Sequence, residues 1–524
     1  MLHKAFPNRR LIKNIRQECT TYENSLTEKN LKTVKLSSNE RHFFKTVYNA
    51  AFANPFSDLR VKLDLKIAGL FPSVSRREST DLCINEVDRR IKELERQNRA
   101  NINAFQGQDK KIITIVFLFD LFHKFRDNFD KLIEDQIKAQ DDLISVPFAK
   151  EIMHLLHIKG FDNKSIIHYF ALSYQLRRAF YFISHSLVGS SPCMQNFKKH
   201  LWNNVFTYNI DLYSKFLWNK MEDFSTLLLG ETGTGKGTAA KAIGRSGYIP
   251  FDEKKECFVE SFTRAFSSLN LSQYPETLLE SELFGHTKGS FTGAIDDYKG
   301  VFDRCSPHGS ILLDEIGEIP NHVQIKLLRI LQERNFSPMG SHEKSRFKGR
   351  VIGATNRPKK EIIGGQVFRD DFYYRLCSDI IEVPPLRARI KEKPLELDAL
   401  LYFTIQKMTG NHSEELTAKV KRVIDQRLGK YYQWPGNVRE LEQCVRSVLL
   451  KKDYGGKQKN GDEKLDLAEE LVRGILDKNI MVSSLVSGYC KLLYDKFGTY
   501  EKVAKHTGLD RRTIKKHIIN LKKN

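Results

Sequence analysis

The stretch "LLLGETGTGKGT", residues 227–238, sets three leucines against a loop in which every second or third residue is glycine. It runs on into "TAAKAIG", residues 238–244, a helix-forming segment. An apolar strand, a glycine-rich turn and a helix, in that order, make a phosphate-binding loop of the form G-x-x-x-x-G-K. Gly230, Gly233 and Gly235 let backbone amides curl round phosphate oxygens, Lys236 reaches the β and γ phosphates, and the helix presents its positive N-terminus. The residues expected round a nucleotide are therefore Gly230, Glu231, Thr232, Gly233, Thr234, Gly235, Lys236, Gly237 and Thr238. Gly237 stands where Ser or Thr usually ligates magnesium, and it brings no side chain to do so.

Two further apolar runs belong with the first. "SILLDEIGEIP", residues 310–320, ends its strand on Asp314 and Glu315, and "GRVIGATN" ends on Asn356. Short apolar runs that each finish in glycine or polar residues read as buried parallel strands feeding helices. Hydrolysis of a phosphoanhydride needs one carboxylate to hold magnesium and another to polarise the attacking water, which an acidic strand end supplies. Asn356 is placed to offer an amide to the γ-phosphate or the water. Arg369 and Arg375 of "FRDDFYYRL" and Arg439 of "WPGNVREL" are candidates for the positive charge that phosphoryl transfer requires, supplied within a subunit or by a neighbour.

The whole chain is too long for one core: 524 residues suggest about three domains. With 40 % hydrophobic and 28 % charged residues it reads as a soluble protein. The longest apolar run, "IITIVFLF" at 112–119, is far short of the roughly 20 residues of a membrane span. The N-terminus "MLHKAFPNRRLIKNIRQ" contains no continuous apolar signal, so a cytoplasmic protein without membrane contact is expected. The eight cysteines are scattered, with no C-x-x-C pair, and read as reduced thiols. A net charge of +21 favours an anionic partner, nucleic acid first.

Residues 37 to about 186 read as helical. "SSNE" at 37–40 has the capping-box pattern, and Phe43, Phe44, Val47, Tyr48, Ala51 and Phe52 recur at helical spacing until Asn54-Pro55. More helices are expected near 79–98, 110–138, 147–158 and 163–186. The aromatic run "HYFALSYQLRRAFYF" reads as packing, with a ligand-pocket lining as the alternative. Residues 187–385 form the α/β part and 386–450 a helical lid. Residues 451–464 read as a polar linker and 465–524 as a small helical domain.

"LVGSSPCM", "GETGTGKG", "LLESELFGH", "KGSFTGA", "ILLDEIGEIP", "GATNRP", "FRDDFYYRL", "PPLRAR" and "WPGNVREL" follow one another in one order. Together they resemble the central AAA+ domain of bacterial sigma-54-dependent transcription activators, over roughly residues 186–450. The resemblance implies an α/β AAA+ P-loop NTPase core with a helical lid, ATP and Mg2+ as cofactors, and a hexamer-like ring of identical subunits. It assigns phosphate binding to Lys236, magnesium to Asp314, water activation to Glu315 and γ-phosphate sensing to Asn356. Arg369 and Arg375 match the pair that enters a neighbouring subunit's site, and Arg439 matches a second sensor. Asn270 matches an asparagine that holds the catalytic glutamate away from water until the partner engages. In this family Glu commonly follows the P-loop lysine, so Gly237 departs from that pattern too. The segments 203–224 and 244–265 exceed the family's usual length and are expected to be surface insertions.

The resemblance also gives a use for "HTKGSFTGAIDDYKG", residues 286–300, where an aromatic stands between glycines on a polar loop. The family's loop, written GAFTGA, contacts the sigma-54 factor of RNA polymerase; Gly289, Phe291, Thr292 and Gly293 match it, with Ser290 in place of alanine. The alternative is a hairpin tip whose Phe folds back onto its own domain.

In the last thirty residues nine Lys or Arg face three Asp or Glu. "TYEKVAKHTGLDRRTIKKHIINL" has Val503, Ala504, Gly508, Leu509 and Ile514 at the contact positions of a helix-turn-helix. Its second helix then shows Arg511, Arg512, Thr513, Lys515 and Lys516 to double-stranded DNA. Residues 1–186 lack the five-fold α/β alternation and acidic pocket of a receiver domain, and a regulatory or sensor role is expected of them. The expected activity is ATP hydrolysis that remodels the closed sigma-54 polymerase complex. The alternatives are a remodelling ATPase or a DNA-binding regulator with a different partner.

Overall fold

In the computed structural model of the protein, which describes residues 33–70, 76–411, 413–429, 432–456, 467–476 and 480–521, the three apolar runs form the middle of a five-stranded parallel sheet. Its strands are β1 (Thr226–Leu229), β2 (Phe266–Asn270), β3 (Ser310–Asp314), β4 (Arg350–Thr355) and β5 (Asp379–Glu382), in the order β2-β3-β4-β1-β5. Every residue of β1 and β4 is buried, whereas the edge strands β2 and β5 are mixed. A parallel sheet covered on both faces demands continuous apolar runs at its centre and tolerates polar residues only at its rims. Alternate residues serve opposite faces. Leu228, Leu312 and Ile352 enter one apolar cluster, and Leu227, Leu229, Ile311, Leu313 and Val351 enter another.

The first of these clusters does not stop at the sheet. It continues from Leu228 and Ala240 through Phe262 and Phe258 to Phe170, Phe129 and Phe44, so the N-terminal helices share one core with a sheet face. Helices run over Ser38–Phe52, Asp58–Ala68, Arg76–Arg96, Gly107–Lys124, Arg126–Ala139, Ala149–Ile158 and Asn163–Ser186. The capping box forms: Ser37 Oγ accepts the Glu40 amide and Glu40 Oε2 accepts the Ser37 amide. Residues 110–138, expected as one helix, are two. Phe125 breaks the run with ψ of 14°, and its buried ring stacks on Phe148 at 6.0 Å.

The two long segments are not surface insertions. Tyr213 is fully buried and accepts a 2.7 Å bond from Gln175 Nε2. Residues Phe251–Asp252 and Cys257–Phe258 pair as a short antiparallel hairpin whose Phe258 stacks on Tyr174 at 4.2 Å. An insertion so rich in aromatics has its own apolar surface to hide, and it hides it against helix Asn163–Ser186. Beneath the sheet, Asn204 donates to Thr226 Oγ1 at 2.8 Å and to Asp379 Oδ2 at 2.6 Å. The buried Arg350 bonds Asn204 Oδ1 at 2.9 Å and the Phe224 carbonyl at 2.8 Å. This network joins the first residues of β1, β4 and β5.

Beyond β5 come helices Leu386–Glu392, Leu395–Thr409, Glu414–Arg427 and Asn437–Lys451. Their buried ion pair Arg389–Glu396 (2.9 Å) is also the anchor of the segment that precedes helix Pro192–Phe206. Glu396 accepts the Ser190 and Ser191 amides at 2.9 and 3.0 Å, and Arg389 donates to the Val188 carbonyl at 2.6 Å. A side chain at Gly189 would collide with Glu396 at 2.1 Å, which explains the glycine of "LVGSSPCM".

A second compact unit begins at Asp453. Most of the expected linker, residues 457–464 of 451–464, lies outside the described residues, as do residues 465–466 of the expected C-terminal domain. Helices Val482–Phe497, Tyr500–Thr507 and Arg511–Leu521 pack Cys490, Val503, Ile514 and Ile518 together, with Ala504 and Leu509 against them. Gly508 takes the left-handed conformation, φ 71°, at the turn. No helix among the described residues is long and apolar enough to cross a membrane.

Glu396→Ala leaves the Arg389 guanidinium buried without its counter-charge and frees two amides, so it is expected to destabilise the chain by on the order of 3 kcal/mol. Thermal unfolding of the variant should show a lowered first transition, with Glu396→Gln falling between it and the parent.

Candidate functional site

β1 connects toward the β2 edge and β4 connects toward β5, on opposite sides, so a crevice opens at their carboxyl ends. The loop 230–235 lines that crevice. Thr234 closes it from within, its amide and hydroxyl both bonding the Glu231 carbonyl. Gly233 and Gly235 have φ of 80° and 105°, a region that costs any side-chain-bearing residue strain. Gly233 is needed for a second reason: a Cβ there would lie 2.2 Å from the Gly436 carbonyl oxygen of the lid. Gly237 differs, because a Cβ at that position meets nothing within 4 Å. It keeps an open space at the first turn of helix Lys236–Gly244 rather than a strained bend.

Lys236 is 7 % exposed, and its Nζ donates to the Gly230 carbonyl at 2.8 Å and the Glu231 carbonyl at 3.4 Å. Burial pulls its pKa down while Glu315 and Asp314 push it up. Both acids therefore act on the ammonium group. Asp314 ends β3 and accepts the Glu315 amide at 3.1 Å. Glu315 follows in the left-handed region, φ 55°, a conformation that costs a non-glycine residue of order 1 kcal/mol. Its Oε2 is buried without a hydrogen-bond partner among the described residues. Gly317 lets this strand end approach β4, since a Cβ there would sit 2.6 Å from Thr355 Oγ1.

Asn356 reaches the loop, its Nδ2 lying 3.4 Å from Thr232 Oγ1, and the Arg439 amide bonds the Gly233 carbonyl at 3.3 Å. Lys236, Asp314, Glu315, Asn356 and Arg439 thus converge. Asn270 stands beside Asp314 in the β2–β3 register, yet its Oδ1 accepts from the Ser272 amide and hydroxyl, and no bond joins it to Glu315 among the described residues. Arg369 and Arg375 do not join the cluster within this subunit. Both are exposed at helix Asp370–Leu376, where Arg369 pairs with Asp371 at 3.1 Å.

Glu231 turns away from the phosphate position. It is held by Arg387 of "PPLRAR", with Nη1 to Oε2 at 2.7 Å, and by Asn437 Nδ2 at 3.1 Å, and the Arg387 guanidinium holds its carboxyl below the usual range. Asn437 also donates to the Thr232 carbonyl at 3.1 Å and accepts the Leu386 amide at 2.8 Å. Arg387 and Asn437 clamp the lid to the loop, a role that single-residue chemistry along the sequence did not disclose. Among the described residues no cluster of His, Cys, Asp and Glu makes a protein-built metal cage. One carboxylate beside bound phosphates suits Mg2+, which keeps water and phosphate oxygens as ligands. The unpartnered Glu315 oxygen, the buried Lys236 and the glycine loop fit a magnesium nucleotide.

In the loop 286–300, Phe291 is half-buried rather than fully extended, its ring edge-on to His286 at 4.9 Å. Thr292 and Gly293 are exposed. The Gly289 amide bonds the Ala294 carbonyl at 2.8 Å, closing the turn. The loop rests on a second one: the Thr287 amide bonds the Met339 carbonyl, and Gly340 presses on Ser290, whose buried Oγ has no partner among the described residues. In the second unit, Arg511, Arg512, Thr513, Lys515 and Lys516 are all exposed on one helix, and Arg511 also pairs with Glu501 at 2.8 Å.

Residues 210–382 match the family model described as the Sigma-54 interaction domain. The Nif-specific regulatory protein of Azotobacter vinelandii is 40 % identical over 237 residues, 45 % of this chain and 41 % of that protein. The formate hydrogenlyase transcriptional activator FhlA of Escherichia coli is 39 % identical over 233 residues, 44 % of this chain and 30 % of that protein. The matched stretch thus spans less than half the length of these relatives. Among solved structures, NtrX from Brucella abortus in complex with ADP overlays 71 % of this chain and 80 % of its own at 19 % identity and a TM-score of 0.37, too loose to carry an argument.

Gly233→Ala and Gly237→Ala should separate. The first adds a Cβ against the lid and forces a left-handed alanine, so nucleotide affinity, read by titration with a fluorescent ATP analogue, is expected to drop on the order of tenfold or more. The second replaces glycine in a helix with space around it, and should leave affinity intact while stabilising the helix by up to about 1 kcal/mol.

Proposed function

We infer, from a chain whose residues 210–382 carry a Sigma-54 interaction domain, that the protein is an ATP-hydrolysing transcription activator acting on sigma-54 RNA polymerase. The observation that carries this reading is the joint presence of a formed nucleotide crevice and a separate glycine-hinged loop bearing Phe291 and Thr292. Bound Mg2+ would neutralise the charge that gathers on the phosphates, held by Asp314. Lys236 releases its loop carbonyls and donates to a phosphate. Glu315, with one oxygen unpartnered and its backbone strained into place, orients and polarises the attacking water. Asn356 senses the terminal phosphate from the end of β4, and Arg439 does so from the lid. Arg369 and Arg375, exposed and outside their own subunit's crevice, suit a role in the site of an adjoining subunit in a ring of identical chains. Such a ring would be completed by assembly, and hydrolysis in it would move the Phe291 loop.

The C-terminal unit is proposed to bind double-stranded DNA, with the helix Arg511–Leu521 in the major groove. Asn270, turned to Ser272 here, is proposed to contact Glu315 only in another nucleotide state. The domain limits 1–186, 187–385, 386–450 and 465–524 are retained as functional divisions, although the first two share a core.

Two substitutions test the reading. Glu315→Gln should lower phosphate release about a hundredfold or more while binding ATP with unchanged affinity. Thr292→Ala should keep ATP turnover and lose activation of a sigma-54 promoter in a reconstituted transcription assay. Survival of activation in the second variant would overturn the loop assignment, whereas absence of any effect of the parent chain on sigma-54 transcription would favour a remodelling ATPase with a different partner.

A further inference from the structure

The N-terminal helices border a cavity of about 750 Å3, within the size range of small-molecule sites. Helices Ser38–Phe52, Gly107–Lys124, Asn163–Ser186 and Pro192–Phe206 bring Phe52, Leu118, Phe119, Leu176, Phe180 and Trp202 to its walls. Two of the rings are held in place from behind. Phe56 stacks on Phe180 at 5.6 Å and meets Trp202 edge-on at 6.2 Å, and Trp202 leans on Phe206 at 4.6 Å. Side chains braced in this way do not fall inward to close the space, so the cavity stands ready-made.

The charged groups of the lining answer one another. Five aspartates and four Lys or Arg stand round the cavity. Arg60 pairs with Asp64 at 2.8 Å, Arg177 with Asp130 at 2.5 Å and Lys215 with Asp211 at 2.5 Å. Arg126 is shared between Asp81 at 3.4 Å and Asp127 at 3.1 Å, whose side chains are 49 % and 86 % exposed, so the surplus acid faces water. A carboxylate entering here finds no free donor, because every cation is taken and both ring nitrogens of His123 are buried. A cation fares no better: burial holds the His123 ring neutral and the guanidiniums of Arg60, Arg126 and Arg177 reinforce it, so positive charge is repelled there as well. A charge brought in without a partner is costly to bury. Ser173, on helix Asn163–Ser186, brings to the lining a hydroxyl that makes no hydrogen bond among the described residues. We propose that this cavity binds an uncharged, mainly apolar small molecule, its body laid against Phe119, Phe180 and Trp202 and one hydroxyl or carbonyl group hydrogen-bonded to Ser173.

The site borders the core that carries the sheet. Helix Asn163–Ser186 turns Arg177 and Phe180 to the cavity, while Arg178, fully buried, donates to the Arg245 and Gly247 carbonyls at 2.9 and 2.7 Å, just beyond helix Lys236–Gly244. A molecule lodged against that helix binds the folded chain and not the unfolded one, so by mass action it stabilises the unit that holds the phosphate loop.

Calorimetric titration of the full chain with 3-phenylpropanol, 3-phenylpropanoate and 3-phenylpropylammonium, one frame in three charge states, tests the site without reference to turnover. The alcohol is expected to bind once per chain, about tenfold or more tighter than either ion, and at saturation to raise the first melting transition. Ser173→Ala should weaken the alcohol about threefold to tenfold, the size of one neutral hydrogen bond, and leave the melting of the unliganded chain unchanged. Ser173→Trp and, from helix Gly107–Lys124, Leu118→Trp fill the cavity and should abolish binding. An ion that binds as tightly as the alcohol, undiminished binding of the alcohol in a folded filling variant, or no saturable binding of the alcohol would overturn the proposal, and unchanged affinity in Ser173→Ala would overturn the assigned hydrogen bond. Should neither filling variant fold, the three-compound comparison on the parent chain decides alone.

Discussion

Burial of the sheet on both faces is the constraint from which the rest follows. Strands β1, β3 and β4 have no solvent-facing side, so between their first residues, Thr226, Ser310 and Arg350, and their carboxyl ends no polar side chain survives. Chemistry is therefore confined to what comes off those ends: the glycine loop after β1, the two acids closing β3 and the asparagine after β4. Because β1 and β4 leave in opposite directions, the same ends are also where the backbone parts to admit a ligand. Apolar burial and phosphate recognition are thus set by one topological fact.

The lid and the N-terminal helices address this crevice from different sides. Arg387 and Asn437 bind the loop through Glu231 and Thr232, so lid position and loop shape are coupled by charge-assisted bonds. The N-terminal side acts from below, through the Arg350–Asn204 network at the strand starts and through Arg178 at the far end of the loop's helix. Arg178 donates to two backbone carbonyls, leaving its Nε without a partner among the described residues, and Arg350 donates to backbone carbonyls, the Asn204 amide oxygen and the Thr226 hydroxyl. Burial pulls both Arg178 and Arg350 down to about 10, and they remain charged at neutral pH.

Central elements were legible in the sequence because they obey simple patterns. Three uninterrupted apolar runs became the three central strands, the glycine-lysine loop took its expected place, and the Ser37 capping box formed as read. The edge strands were not legible: "FSSLN" and "DIIE" mix polar with apolar residues, since one side of each faces the rim. Helix Asp58–Ala68 was hidden by the strict polar–apolar alternation of "DLRVKLDLKIA", and only Asp64 and Ile67 of it are buried. The long segments 203–224 and 244–265 were read as surface additions because length alone carries no partner information. Their aromatic residues show where they belong only once helix Asn163–Ser186 is seen beside them. Asn270 bonds Ser272 and the arginine pair Arg369 and Arg375 lies outside the cluster, so the roles proposed for them call for another nucleotide state or a neighbouring subunit.

The shared core has a practical bearing on how the front of the molecule is to be studied. Phe251, Phe258 and Phe262 are covered by side chains of helix Asn163–Ser186, and Ala239 and Ala240 lie in the same apolar body. A fragment starting near residue 187 would strip that cover and leave an adhesive aromatic face on the α/β part. Loss of activity in such a fragment would report clumping, not relief or removal of control. Single replacements inside the intact chain leave the cover in place, and they are the sound way to ask what the first third of the molecule does.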